Sequence, residues 1–415
     1  MISFEQALKL IAQNNPPPKE EEVFISAALG LVCSEDVKSP LDLPLYDNSA
    51  MDGFVLRSED TLGATADKPV LLSIGGVVKA GDNGENCLRK KESYRIMTGA
   101  PLIKGGDAVL EKEKAFVQNG SLWVSAPVIK GKNIRYRAEE IKKHELVLPR
   151  NSVINPGTIG FLATMGMNKI NVYKKPVISL IATGNELVSP GNPLGPGKIY
   201  DSNTAMIRAA LEEMKIHPSL VRRLNDEPKA MKQVLRFALK ESDLVILMGG
   251  VSVGDYDFVK GVLEEEGVKT IFWKVSQKPG KPLYFGRKED KLVFGLPGNP
   301  ASVFTCFYEY VYPAIRRFMG YKNPYLSSSR LELKESIKPD PEKFLFIKGK
   351  IENARLPDGQ GEAKRVVPLK HQKSHMISSL CRADSLVVVP NSETVLEEGE
   401  KVLVHSLPFS WEGVL

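Results

Sequence analysis

The sequence predicts a multidomain protein of class α/β plus β, with a central three-layer α/β domain and a β zone on either side of it. Three observations carry this. Strand and helix patterns alternate across residues 171–320, and short β runs punctuated by turns fill residues 44–151 and again 321–415. The apolar runs Leu244–Met248 and 292–294 each end in a glycine-bearing turn that leads into a helical pattern. Alternation of this kind builds a largely parallel sheet covered by helices.

The elements follow in chain order. MISFEQALKLIAQNN reads as an amphipathic helix opened by a Ser3-x-x-Gln6 capping box and stopped at Asn14-Asn15-Pro16-Pro17-Pro18. Short β runs at 70–74, 94–97, 108–110, 122–124 and 146–148 suggest a small β domain. Asn155-Pro156-Gly157 opens a helix that ends near Gly166. Residues 177–182 form a β run, and 204–214 a helix with Met206, Ile207, Ala210, Leu211 and Met214 on one face. Helices at 231–239 and 258–266, strands around Ile271 and Leu292, and one long helix through 302–318 complete the α/β zone. Runs at 331–333, 344–347, 386–389 and 402–404 predict a small C-terminal barrel.

Composition sets the class. At roughly 100–200 residues per domain, 415 residues suggest two to four domains. The net charge of +6 arises from 56 basic and 50 acidic residues, well interspersed. With no basic tail or Arg-rich helix, nucleic acid is not an expected partner. No apolar run approaches the eighteen or so residues of a membrane span, and the N-terminus lacks a signal-peptide pattern. Cys33, Cys87, Cys306 and Cys381 are far apart, which suggests neither zinc nor a disulfide framework and fits a cytoplasmic protein.

Chemistry concentrates between Asp243 and Ala301. Three strand ends carry polar groups: Thr183-Gly184-Asn185-Glu186, Gly249-Gly250-Val251-Ser252-Val253-Gly254-Asp255, and Pro297-Gly298-Asn299-Pro300. Ligands of open α/β sheets bind outside the carboxyl ends of the strands, so the three should converge. One such turn is as often a mere connection; three with this chemistry form an oxyanion crevice of backbone N–H groups. Lys274, Lys278 and Lys281, in a rigid Pro-Gly context, would add positive charge, and Asp255 and Asp257 are placed to hold a divalent cation against a phosphate. Glu186, Asp226 and Asp257 clustered in a crevice would repel by roughly 4 kcal/mol per close pair, which a cation or the lysines must offset. Asp201-Ser202-Asn203 reads first as a helix N-cap. The sequence Asn133-Ile134-Arg135-Tyr136-Arg137-Ala138-Glu139-Glu140 reads as a surface salt-bridge network, and Ser374-His375 as a polar loop tip. Neither a Walker A loop nor a GxGxxG fingerprint occurs.

DNSAMDG, MTGAP, NIRYRAEE, TGNEL, IYDSN, GGVSVGDYDF, KPGKP and GLPGNPAS, in this order across nearly the whole chain, resemble the molybdopterin molybdenumtransferase family, which includes bacterial MoeA and the E domain of gephyrin. The resemblance implies four parts: an elongated discontinuous domain (1–43 with 152–170), an inserted β domain (44–151), a molybdopterin-binding α/β domain (171–320) and a C-terminal β barrel (321–415). It implies insertion of molybdate into adenylylated molybdopterin with release of AMP, assisted by Mg²⁺. It places Glu186, Asp226 and Asp257 at acidic, metal-holding site positions, and Asp52 and Thr98 in the inserted domain with Arg135 beside them. Lys274, Lys278 and Lys281 fall in a basic segment, and Ser374 in the site loop of the barrel. Where bacterial relatives read Gly-Glu-Asp, this chain has Ala138-Glu139-Glu140, so the carboxylate of Glu140 reaches one carbon further. The resemblance also implies a homodimer with a site shared between subunits, and molybdopterin adenylyltransferase and molybdoenzyme acceptors as partners. Two rivals are the adenylyltransferase step itself, disfavoured by the inserted domain and barrel, and a gephyrin-like scaffold, disfavoured by the lack of a long linker.

Overall fold

A computed structural model describes residues 1–250, 258–355 and 362–409. The chain forms two compact units, Met1–Glu22 with Asn171–Leu415, and Val23–Ile170. The expected boundaries at 43/44 and 151/152 both fall inside the second of these.

In the first unit, six strands form one sheet in the spatial order Leu220–Leu224, Ile178–Thr183, Leu244–Met248, Lys291–Leu296, Tyr284–Lys288, Lys269–Trp273. The first four pair in parallel, and Tyr284–Lys288 is antiparallel to both of its neighbours. From Ile178–Thr183 the chain crosses to one side, to Leu220–Leu224, and then returns to the other side at Leu244–Met248. That reversal is a topological switch point, where strand ends splay and leave a crevice.

Both faces of this sheet are covered. Ile181, Val245 and Leu247 pack with Met231, Leu235 and Ala238 of the helix Pro228–Glu241 and with Leu263 of Phe258–Glu265. Successive strand residues point to opposite faces. Leu180 and Ile246 therefore face the other way, and they too are fully buried. The helix Ser202–Glu213 buries Ile207, Ala210 and Leu211. The long helix expected through 302–318 is a helical run interrupted by a π-turn: Pro300–Cys306, then Phe307–Val311, then Tyr312–Phe318.

The C-terminal barrel is closed. Its strands run Phe344–Arg355, Glu362–Pro368, Ser327–Leu333, Lys401–Ser406 and Ser385–Val389, and the last pairs back onto the first. The N-terminal helix Phe4–Asn14 belongs to the same unit and keeps both hydrogen bonds of its Ser3/Gln6 capping box.

The second unit is built on a six-stranded sheet with Gly53–Leu56 near one edge and Phe116–Gln118 at the other. Gly53 is required by close approach: a Cβ there would lie 2.0 Å from the Leu110 carbonyl oxygen. The helix Pro156–Thr164 starts at Asn155, whose side chain accepts from the Thr158 N–H. No described helix is long and apolar enough to cross a membrane.

Candidate active site

At the switch point the ends of Ile178–Thr183 and Leu244–Met248, the turn 298–300, and the start of the helix Ser202–Glu213 bound a cavity of about 690 Å³. Thr183, Gly184, Glu186, Asp226, Gly249, Gly250, Gly298, Asn299 and Pro300 all line it. The described parts of the three strand-end turns thus meet in one place.

Local geometry explains the glycines. Gly249 has φ +89, and a Cβ there would lie 2.5 Å from the Thr183 carbonyl oxygen, so only glycine lets the two strand ends close on each other. The Gly249 N–H donates to the Leu296 carbonyl at 3.1 Å, which ties the second turn to the strand before the third. At Gly184 (φ +151) a Cβ would meet the Glu186 carboxylate at 2.6–2.8 Å, so the acid side chain lies folded over the bare backbone.

Asp226 sits just beyond the strand Leu220–Leu224. Its Oδ2 accepts the Asn185 N–H at 3.3 Å, and its own N–H donates to Asn185 Oδ1 at 3.1 Å. The Lys198 ammonium donates to the Asn185 carbonyl at 2.6 Å. Asp201 is the N-cap expected of it, accepting from the Thr204 N–H at 3.0 Å, and it also lines the cavity. Asn203 donates to the Gly298 carbonyl at 2.7 Å, linking this helix start to the third turn. Asn299 Nδ2 donates to Ser374 Oγ at 3.2 Å, and the Ala301 N–H donates to the Ser374 carbonyl at 3.1 Å. The barrel loop therefore reaches the cavity, and its His375 is part of the wall.

Family models cover most of the chain. The MoeA N-terminal region (domain I and II) matches residues 2–166, a probable molybdopterin binding domain 179–317, and the MoeA C-terminal region (domain IV) 330–407. The molybdopterin molybdenumtransferase of Staphylococcus epidermidis is 32% identical over 100% of this chain and 98% of its own length. The chain belongs to the molybdopterin molybdenumtransferase (MoeA) family. The enzyme of that name from Haemophilus influenzae is 32% identical, covering 99% of each chain. The crystal structure of a molybdopterin biosynthesis moeA protein from Pyrococcus horikosii superposes with TM-score 0.84 at 31% identity, covering 99% of this chain and 100% of that one.

The remaining predicted residues of this MoeA-family chain divide by position. Ser252, Asp255 and Asp257 lie outside the described residues. Lys274, Lys278 and Lys281 lie in the loop joining Lys269–Trp273 to Tyr284–Lys288. Tyr284 pairs with Gly295, next to the end of its parallel strand, so this loop leaves from the same sheet edge as the cavity. None of the three lysines lines the cavity. Lys274 instead places its ammonium 4.1 Å from the Trp273 ring centroid, and Lys278 pairs in parallel with Leu345 of the barrel. Pro297 opens the third turn without lining the cavity.

In the unit Val23–Ile170 a second group gathers around the loop 47–53. The Thr98 N–H and hydroxyl both donate to Asp52 Oδ1, at 2.7 and 2.8 Å, and together hold its carboxyl below the usual range. Arg135 pairs with Asn48 of the same loop. The expected salt bridges within 133–140 do not form among the described residues: Arg137 pairs with Asp42 at 2.6 Å, and Glu139 accepts the Tyr136 N–H at 2.7 Å. The Glu140 N–H donates to the Leu43 carbonyl at 3.0 Å, and its side chain is exposed.

Three residues at the α/β cavity escape the sequence: Tyr200 and His375 line it, and Lys198 holds the Asn185 carbonyl beside it. Tyr200 and Lys198 belong to an excursion closed by the parallel pairing of Leu187–Val188 with Ile199–Tyr200, too short to carry a periodic signal. His375 was visible only as the neighbour of Ser374.

Proposed function

We infer that this chain is a molybdopterin molybdenumtransferase of molybdenum cofactor biosynthesis, taking molybdate and adenylylated molybdopterin as substrates and releasing AMP. The observation that carries this reading is the match to molybdenumtransferases over the full chain, supported by a carboxylate-lined cavity at the switch point of the α/β domain. The rival adenylyltransferase would need neither the inserted domain nor the barrel.

Glu186 and Asp226, with Asp257 by motif position, are proposed to hold Mg²⁺. The donor set suits that ion. No group of three or more His, Cys, Asp or Glu that could hold a metal is found among the described residues, and Mg²⁺ commonly takes only one or two carboxylates, completing its shell with substrate phosphates and water. When bound, the ion would neutralise charge developing on the phosphoanhydride. The chain's own part is positional. The Thr183, Gly184, Gly249 and Gly250 turns bring backbone close to a phosphate-bearing ligand, while Asn299 and Ser374 fix the opposite wall. Lys274, Lys278 and Lys281 are proposed to attract the anionic substrates along the same sheet edge, and Asp52, Thr98, Arg135 and Glu140 to serve the same reaction from the inserted domain. A homodimer sharing each site between subunits is part of the proposal.

Purified protein given adenylylated molybdopterin, molybdate and Mg²⁺ should release AMP and leave molybdenum on the pterin. Adenylate transfer from ATP onto molybdopterin would overturn this in favour of the adenylyltransferase, and neither reaction would leave the scaffold.

A further inference from the structure

Lys348 is a buried cation that the reaction does not explain. Leu345 and Ile347 on the same strand belong to the barrel core, so alternation turns Lys348 outward, yet only 2% of it is exposed. Lysines are almost never buried this deeply without a partner. The partners here are two carbonyls: its ammonium donates to His371 at 2.7 Å and to Met376 at 3.1 Å. Those acceptors bracket Ser374 and His375. The backbone of Lys348 is tied to the same loop, since its N–H donates to Gln372 Oε1 at 3.0 Å and its carbonyl accepts Gln372 Nε2 at 2.9 Å.

We propose that Lys348 is a positioning residue, whose ammonium clamps both ends of the segment 371–376 so that Ser374 meets Asn299 and His375 closes the cavity. A neutral side chain of similar length would leave the two carbonyls without their shared donor. The loop would then keep only the Gln372 bonds and the Ser379 hydroxyl's bond to the His371 carbonyl, with nothing among the described residues holding the Met376 end, and the tip that meets Asn299 would lose its register. Nothing in this role needs Lys348 to touch substrate. The proposal rests on reading the cavity as the substrate site, so it is tested with one readout that depends on that reading and one that does not.

The first readout is a double-mutant cycle on kcat/KM for AMP release, using Lys348→Met and Ser374→Ala in the full chain. A clamp acting through Ser374 predicts a loss of about tenfold for Lys348→Met alone and less than about twofold more in the Ser374→Ala background, because coupled residues are not additive. The second readout is tryptic cleavage after the exposed Lys373 in the native protein, expected to be at least fivefold faster in Lys348→Met. Losses that simply multiply, or cleavage at Lys373 unchanged from wild type, would overturn the clamp. Should Lys348→Met fail to fold by circular dichroism, Gln372→Leu breaks the same attachment from the other side and is held to the same outcomes. A wild-type protein that releases no AMP overturns the function, while the cleavage rate still decides the clamp.

Discussion

Asn185 and Asp226 exchange two hydrogen bonds, N–H to carboxylate in one direction and N–H to amide oxygen in the other. The pair locks the turn after Ile178–Thr183 to the turn after Leu220–Leu224, so Asp226 serves the fold as well as the proposed metal.

The two roles separate by substitution. Asp226→Asn keeps an acceptor for the Asn185 N–H and should leave stability near wild type, while AMP release falls at least about tenfold with the loss of a charged cation ligand. Asp226→Ala should cost about 1 kcal/mol of stability in addition. An asparagine variant with normal activity would remove Asp226 from the metal site.

Ala138 stands where the family pattern has glycine, and its φ is +62. A Cβ in the left-handed region costs roughly 1–2 kcal/mol. Ala138→Gly should therefore raise the stability of the unit Val23–Ile170 by about 1 kcal/mol after the unfolded chain's added freedom is subtracted. Urea unfolding followed by Trp123 fluorescence would measure it; an unchanged midpoint would mean the backbone relaxes away from that conformation.

Burial pushes the Lys348 amine down from 10.5 to about 8. Between those values the unfolded chain holds a proton that the folded chain has released, so stability gains from rising pH across this window. Below about pH 8 both states are protonated and the penalty of burying the charge is fully present. The stability of wild type relative to Lys348→Met should therefore improve from pH 8 to pH 10. A difference that stays flat in urea titrations would show that the amine titrates normally.

The proposed homodimer makes a statistical prediction. If Asp52 of one subunit and Lys281 of the other serve one site, Asp52→Ala and Lys281→Ala homodimers should both be inactive. Refolded together, about half the dimers are mixed, and each mixed dimer has one intact site, so activity should return to roughly a quarter of wild type. Mixed dimers confirmed by mass that stay inactive would place both residues in a single-chain site.

Much of this protein was legible in its sequence because the signals are local. Ser3 and Gln6, or Asn155 with Pro156, announce helix starts through hydrogen bonds that span three residues. Leu244–Met248 reads as a central strand because it is buried on both faces and therefore uniformly apolar. Strands Leu220–Leu224 and Tyr284–Lys288 went unread for the opposite reason. Each carries two consecutive basic residues, Arg222-Arg223 and Arg287-Lys288, and only pairing with a neighbour makes it a strand. The π-turn at Phe307–Val311 likewise leaves no mark in an apolar run that would suit an ordinary helix.

The family, the α/β core and the chemical types at the site are all legible along the chain, since strand ends, glycine turns and carboxylates are written in consecutive residues. Which of those groups meet was decided by tertiary structure. Glu186 and Asp226 become neighbours of one cavity only because the strands before them pair in parallel beside the topological switch. His375 joins them only because the barrel loop is hydrogen-bonded to Asn299 and Ala301. Lys348 acquires its importance from burial alone, for in the sequence it is one lysine among many, and only a folded chain can strip the water from it and leave two carbonyls in its place.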